Sequence, residues 1–142
     1  MALLAACGFL PSSIPQPTAN EIFLGTVRWG CAPHDGPALE LSLEGSEAAG
    51  PVMAHIILWD NDFRPAVGRN YIFDGSGADG IGTLQIAEQQ AWLTAARTQI
   101  RFSVFRENDG AEGSFSMDLL GDRRVGGRFK AEWDDSFLAL CG

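Results

Sequence analysis

From residue 21 onward, apolar and polar residues alternate along most of the chain, with breaks at clusters of Gly, Pro, Asp and Asn. A period of two places successive side chains on opposite faces of a sheet, so the pattern predicts half-buried β-strands joined by turns. Ile22 to Trp29 reads as a first strand with Phe23, Val27 and Trp29 on one side, followed by a turn-rich loop from Cys31 to Pro37. Leu39, Leu41 and Leu43 alternate with Glu40, Ser42 and Glu44 in the clearest half-buried strand. Val52 to Trp59 is apolar on both parities, which predicts a strand covered on both faces; its β-branched content and Gly50-Pro51 entry favour a strand over a helical turn.

Asp60 to Gly68 is a predicted loop, and Tyr71 to Phe73 a short strand running into the glycine-rich segment 74–82. Leu84 and Ile86 mark another strand, Trp92 to Ala95 the next, and Ile100, Phe102 and Val104 alternate with Arg101 and Ser103. In the last hairpin, Phe115, Met117 and Leu119 share a face with Val125, Gly127, Phe129 and Ala131. Pairing Phe115 with Phe129 and Leu119 with Val125 predicts a three-residue loop at 121–123, with Ser116 opposite Arg128. About eight or nine short strands without a helical period predict an all-β domain, as an antiparallel β-sandwich or a small closed β-barrel. Residues 1–20, Pro-rich and aperiodic, read as a tether ahead of a single domain spanning 21–142.

Composition narrows the partners. The 142 residues are 46% hydrophobic and 20% charged, ordinary for a globular domain, and the 17 glycines fit a chain with many turns. A net charge of −8 makes nucleic acid and anionic membrane surfaces poor partners. The four cations between Arg123 and Lys130 read as a solvated strand face. No apolar window is long enough for a spanning helix.

Leu4-Ala5-Ala6-Cys7 resembles the bacterial lipobox, in which a leucine and two small residues precede a cysteine that is acylated and becomes the mature N-terminus. Only six residues precede Cys7 and none is basic, whereas a secretory signal has a basic n-region and a longer apolar core. The expectation is that translation starts upstream of Met1; the alternative is a frayed N-terminus with an unpaired thiol. With Cys7 acylated, the other two of the three cysteines, Cys31 and Cys141, are expected to pair, in an oxidising compartment. The alternative is a cytosolic chain with three reduced thiols. Zinc is disfavoured, since no two Cys or His sit at ligand spacing and His34 and His55 are far apart.

The glycine-rich hairpin, the segment Gly127 to Trp133 and the late Cys141 are similar to small uncharacterised β-sandwich lipoproteins of Gram-negative bacteria, a resemblance spanning about residues 112–141 and the lipobox. It implies a periplasmic protein held at the outer membrane through a lipid on Cys7, with Gly8 rather than Asp after the cysteine as in outer-membrane sorting. It implies no activity.

Candidate chemistry is sparse. Asp74, Ser76 and Asp79 offer alternating oxygens such as a calcium loop uses, but Gln85 stands where an EF-hand loop closes with Glu. His34 and His55 are the only imidazoles. Asp60 and Asp62 beside Trp59 could serve glycoside hydrolysis, although carboxylates two residues apart are more often a turn feature. Of four tryptophans, Trp59 and Trp92 are candidates to line a binding face with Met53, His55 and Ile57; core filling is the plainer role. No cofactor is called for. The expected function is a non-enzymatic envelope lipoprotein domain, a structural module or one binding a protein, glycan or small apolar ligand. Alternatives are an inhibitor of a hydrolase that plugs a cleft with the 59–68 loop, and a hydrolase using His55 with Asp60 or Asp62.

Overall fold

A computed structural model describes residues 22–34, 36–47, 50–59, 65–86, 91–136 and 141. Nine strands follow one another: β1 (Ile22–Cys31), β2 (Pro37–Glu47), β3 (Gly50–Leu58), β4 (Asn70–Asp74), β5 (Gly80–Ile86), β6 (Leu93–Thr94), β7 (Arg97–Arg106), β8 (Gly110–Leu119) and β9 (Arg123–Trp133). The all-β expectation holds, and the described residues contain no helix. All nine strands belong to one sheet, in the order β4-β7-β8-β9-β1-β2-β3-β5-β6.

The sheet is mixed rather than purely antiparallel. β1 and β9 run parallel, Phe23 opposite Phe129 and Val27 opposite Trp133, while every other pair is antiparallel. The parallel pair lies in the middle of the sheet and is extended by the Asp134 amide donating to the Val27 carbonyl at 2.9 Å. A disulfide joins Cys31, the last residue of β1, to Cys141 across 110 positions, with Cα atoms 5.6 Å apart. The expected pairing is therefore present, and it fastens a segment beyond β9 to the strand beside which β9 runs.

One face of every strand except β6 enters a common core. Phe23 and Val27, Leu39 to Leu43 on alternate positions, Val52 to Leu58 on alternate positions, Ile100, Phe102, Met117 and Phe129 are all buried. Trp29, Phe105 and Trp133 pack against this core and stack edge to face, Trp29 on Trp133 at 5.9 Å and Phe105 on Trp133 at 6.4 Å between ring centroids.

Three expectations are corrected. The last hairpin pairs Phe115 with Gly127, Met117 with Val125 and Leu119 with Arg123, so its loop is 120–122 and Ser116 faces Gly126 rather than Arg128. Gly121 and Asp122 take φ of 86° and 59°, a left-handed turn that glycine and aspartate tolerate better than other residues. Since the shift is two residues, no side chain changes face. Second, a bulge between Phe102 and Val104 breaks the expected alternation in β7 and brings Phe105, rather than Val104, against the core. Third, β3 is buried on one face only: Met53 on the other is 40% exposed, and His55 and Ile57 are half-buried.

Between β6 and β7 the chain turns from one part of the sheet to another. The Ala95 amide donates to the Gly82 carbonyl of β5, and the next amide, Ala96, donates to the Asp118 carbonyl of β8, both at 2.8 Å. Just beyond this corner Thr98 is buried, and its hydroxyl points at the space a side chain on Gly82 would fill. The hydroxyl has no hydrogen-bond partner among the described residues. A buried hydroxyl without a partner costs about 1–3 kcal/mol, so Thr98→Val, which keeps the shape, is expected to leave stability unchanged or raise it by about 1 kcal/mol. A fall in the urea midpoint would mean the hydroxyl is satisfied.

Candidate functional site

The burial of one parity on β1, β2 and β3 dictates what the other parity presents. Leu24 and Thr26 point outward from β1, Ser42 and Glu44 from β2, Met53 and His55 from β3. Strand register sorts them into two rows across the sheet. One runs Leu24, Glu44, Met53, Gln85; the other runs Thr26, Ser42, His55, Thr83, Thr94. Neighbours within such a row stand about 5 Å apart at Cβ. Trp92, immediately before β6, lies over the second row, its ring 6.4 Å from that of His55 and inclined at 65°. From these rows Leu24, Thr26, Ser42, Glu44, Met53 and His55, together with Trp92, line a shallow groove of about 610 Å³ on the outer face of the sheet; Gln85, Thr83 and Thr94 continue the rows beyond it.

The groove is apolar on one flank and polar at its floor. Leu24 is 59% exposed, Met53 40% and Trp92 46%, three of the eight large hydrophobic residues exposed among the described residues. Apolar surface gathered in one place marks an interaction site more often than scattered exposure does. Among the described residues no Lys or Arg lines the groove, and Glu44 is the sole carboxylate there.

His55 is held neutral near pH 7. Burial lowers its pKa; the charge of Glu40 pulls it up and that of Arg28 pushes it down, but those two are paired with each other at 2.9 Å. A neutral imidazole donates through one nitrogen and accepts through the other. Because its folded pKa lies below the ordinary 6.5, the unfolded chain takes up the proton first as pH falls. Stability contributed by neutral His55 is therefore present above pH 6.5 and lost as pH drops through the folded value. Between pH 7 and pH 5 the urea midpoint is expected to fall more for the wild type than for His55→Gln, and equal falls would refute this account.

The groove brings together three of the four residues singled out for ligand binding, Met53, His55 and Trp92, but not Trp59. Trp59 is buried in a small cluster with Ala32 and Ala38, against which Ile57 and Ile81 pack. Its indole N–H donates to the Ala78 carbonyl at 3.0 Å, and its ring meets His34 edge to face. Leu24, Thr26, Ser42 and Glu44 were missed in the sequence. Their outward parity was readable, but not the neighbours across which they would face.

The candidate calcium loop is occupied by its own turn. The Asp74 carboxylate accepts from the Ser76 hydroxyl and from the Ser76 amide, the latter at 2.8 Å, and these two bonds hold its pKa below the usual range, while the Asp79 carbonyl accepts from the Trp59 amide. Among the described residues no three His, Cys, Asp or Glu side chains gather as a metal site. Cys7, Asp60 and Asp62 lie outside the described residues, as does the 60–64 half of the 59–68 loop. Comparison of the chain with protein-family models, with curated proteins and with solved structures finds no match.

Proposed function

We propose that this chain is a non-enzymatic binding module of the bacterial cell envelope, anchored on the periplasmic side of the outer membrane through an acylated Cys7, with the groove over β1, β2 and β3 as its binding face. The observation that carries the reading is the convergence of Leu24, Met53 and Trp92, each at least 40% exposed, around His55 in one groove. The Cys31–Cys141 bond supports the compartment, because such bonds persist where thiols are not kept reduced. We read the sheet as a small barrel left partly open: the corner at Ala95–Ala96 ties β5 to one side of the chain and β8 to the other, a device by which strands switch sheets.

Two measurements test the proposal. Intact mass of protein extracted from membranes is expected to show Cys7 as an acylated N-terminus and a gain of two hydrogens on reduction; an unmodified, soluble chain would remove the anchor. For the binding face, a photo-crosslinking residue placed at Leu24 in living cells is expected to form an adduct, while one at Ile72, exposed on β4 at the other end of the sheet, forms none. Equal behaviour at the two positions would sink the binding face.

A further inference from the structure

We infer that the groove binds a neutral saccharide, its indole and imidazole packing on the apolar face of a sugar ring and the row beneath hydrogen-bonding to the sugar hydroxyls. The inference rests on the binding-face reading above and names its ligand class. It does not depend on lipidation.

Elsewhere on the sheet's exterior, charged side chains are matched with one another. Arg28 pairs with Glu40, Arg124 with Asp118 and Lys130 with Glu112 across adjacent strands, and Arg123 of β9 with Glu47 of β2, two strands away. The groove floor is different. Thr26 and Ser42 line it and hydrogen-bond to no described side chain, and they stand in line with His55, the row running on past the groove through Thr83 and Thr94. Hydroxyls and a neutral imidazole both donate and accept, which suits a ligand whose own groups are hydroxyls.

Trp92 supplies the second half of such a site. A half-exposed indole offers a flat apolar surface with a polar edge, and here it stands over the hydrogen-bonding row with Leu24 and Met53 on the flank of the groove. Charge then excludes the other polar ligands. With no Lys or Arg among the described lining residues, Arg28 nearby paired to Glu40, Glu44 at the rim and a net charge of −8, the field disfavours phosphates, sulfates and uronic acids. A small apolar ligand needs enclosure that a shallow groove does not give, and a lipid surface would strand the hydroxyl row in an apolar layer.

The test is calorimetric titration of the oxidised, folded chain with three neutral probes, chitotriose, cellotriose and maltotriose, against trigalacturonate and phosphatidylcholine vesicles. At least one neutral trisaccharide is expected to bind saturably and trigalacturonate not at all. Trp92→Ala is expected to weaken that binding tenfold or more, Trp92→Phe to restore part of it, and Ser42→Ala to weaken it a few-fold. Should Trp92→Ala lower the urea midpoint, Ser42→Ala and Trp92→Phe carry the test. Absence of saturable binding by all three sugars, affinity indifferent to both positions, equal binding of trigalacturonate, or vesicle binding that depends on Trp92 would each overturn the inference. An adduct at Leu24 combined with no sugar binding would overturn the saccharide and leave the binding face standing.

Discussion

Replacing Cys31 and Cys141 together by serine is expected to lower the free energy of unfolding by about 4–5 kcal/mol, with reduction of the wild type giving the same loss. The bond spans 110 positions, so breaking it frees nearly the whole domain to explore open conformations once unfolded. In the native state little else changes. The β1–β9 ladder continues from Phe23–Phe129 to Val27–Trp133 without help from the sulfurs, and the Asp134 amide extends it by one bond. The loss therefore falls on the unfolded side of the balance. Domains of this size are stable by about 5–15 kcal/mol, so the variant should fold yet unfold at a much lower urea concentration. Urea titrations with and without reductant measure this directly. A reduced protein with an unchanged midpoint would show that the link closes a loop already closed in the denatured chain.

What could be read from the sequence, and what could not, divides along a physical line. Which face a residue takes depends only on parity, and parity survives errors of register by two. The sequence places Phe115, Met117, Val125 and Phe129 on one face, and all four are buried although they pair two residues away from the expected partners. Register itself is set by the turn, and there Leu120 misleads: an apolar residue following Leu119, it sits at the tip of the loop, 90% exposed. Strand adjacency is less legible still. Nothing in the alternation announces that β1 lies between β2 and a parallel β9; only the expected Cys31–Cys141 bond implied that the first and last strands meet.

The candidate site was half legible for the same reason. Apolar residues on both parities of β3 suggested two buried faces, and the second face is where Met53 stands 40% exposed. The sequence thus pointed to the right strand for the wrong reason: its surplus apolar side chains serve the exterior. Trp59 and Trp92 look equivalent in one dimension. In the fold, Ala32 and Ala38 leave room for Trp59 to bury its ring, whereas Trp92 lies over the hydroxyl row and keeps nearly half its surface in water.

Phe102→Ala is expected to cost about 3–5 kcal/mol, the other large effect in this domain. Phe102 is fully buried, and its ring meets Tyr71, Phe105 and Phe129 edge to face at 6.3, 5.8 and 5.9 Å between centroids. Those partners come from β4, β7 and β9, so one side chain couples the edge strand β4 to the centre of the sheet. Removing it leaves a void that the rigid ladders on either side of β7 cannot collapse into, and it forfeits edge-to-face contacts worth about 0.5–1.5 kcal/mol each beyond the buried area. Phe102→Leu keeps most of the volume and is expected to cost under about 1.5 kcal/mol, while Ile72→Ala, on the exposed side of β4, should stay within about 0.5 kcal/mol. Because the bulge after Phe102 directs Phe105 onto Trp133, the alanine variant should also shift tryptophan emission before global unfolding begins. A cost below 1.5 kcal/mol for Phe102→Ala, or an equal cost for Ile72→Ala, would mean that the coupling between β4 and the sheet runs through the backbone ladder instead of this ring.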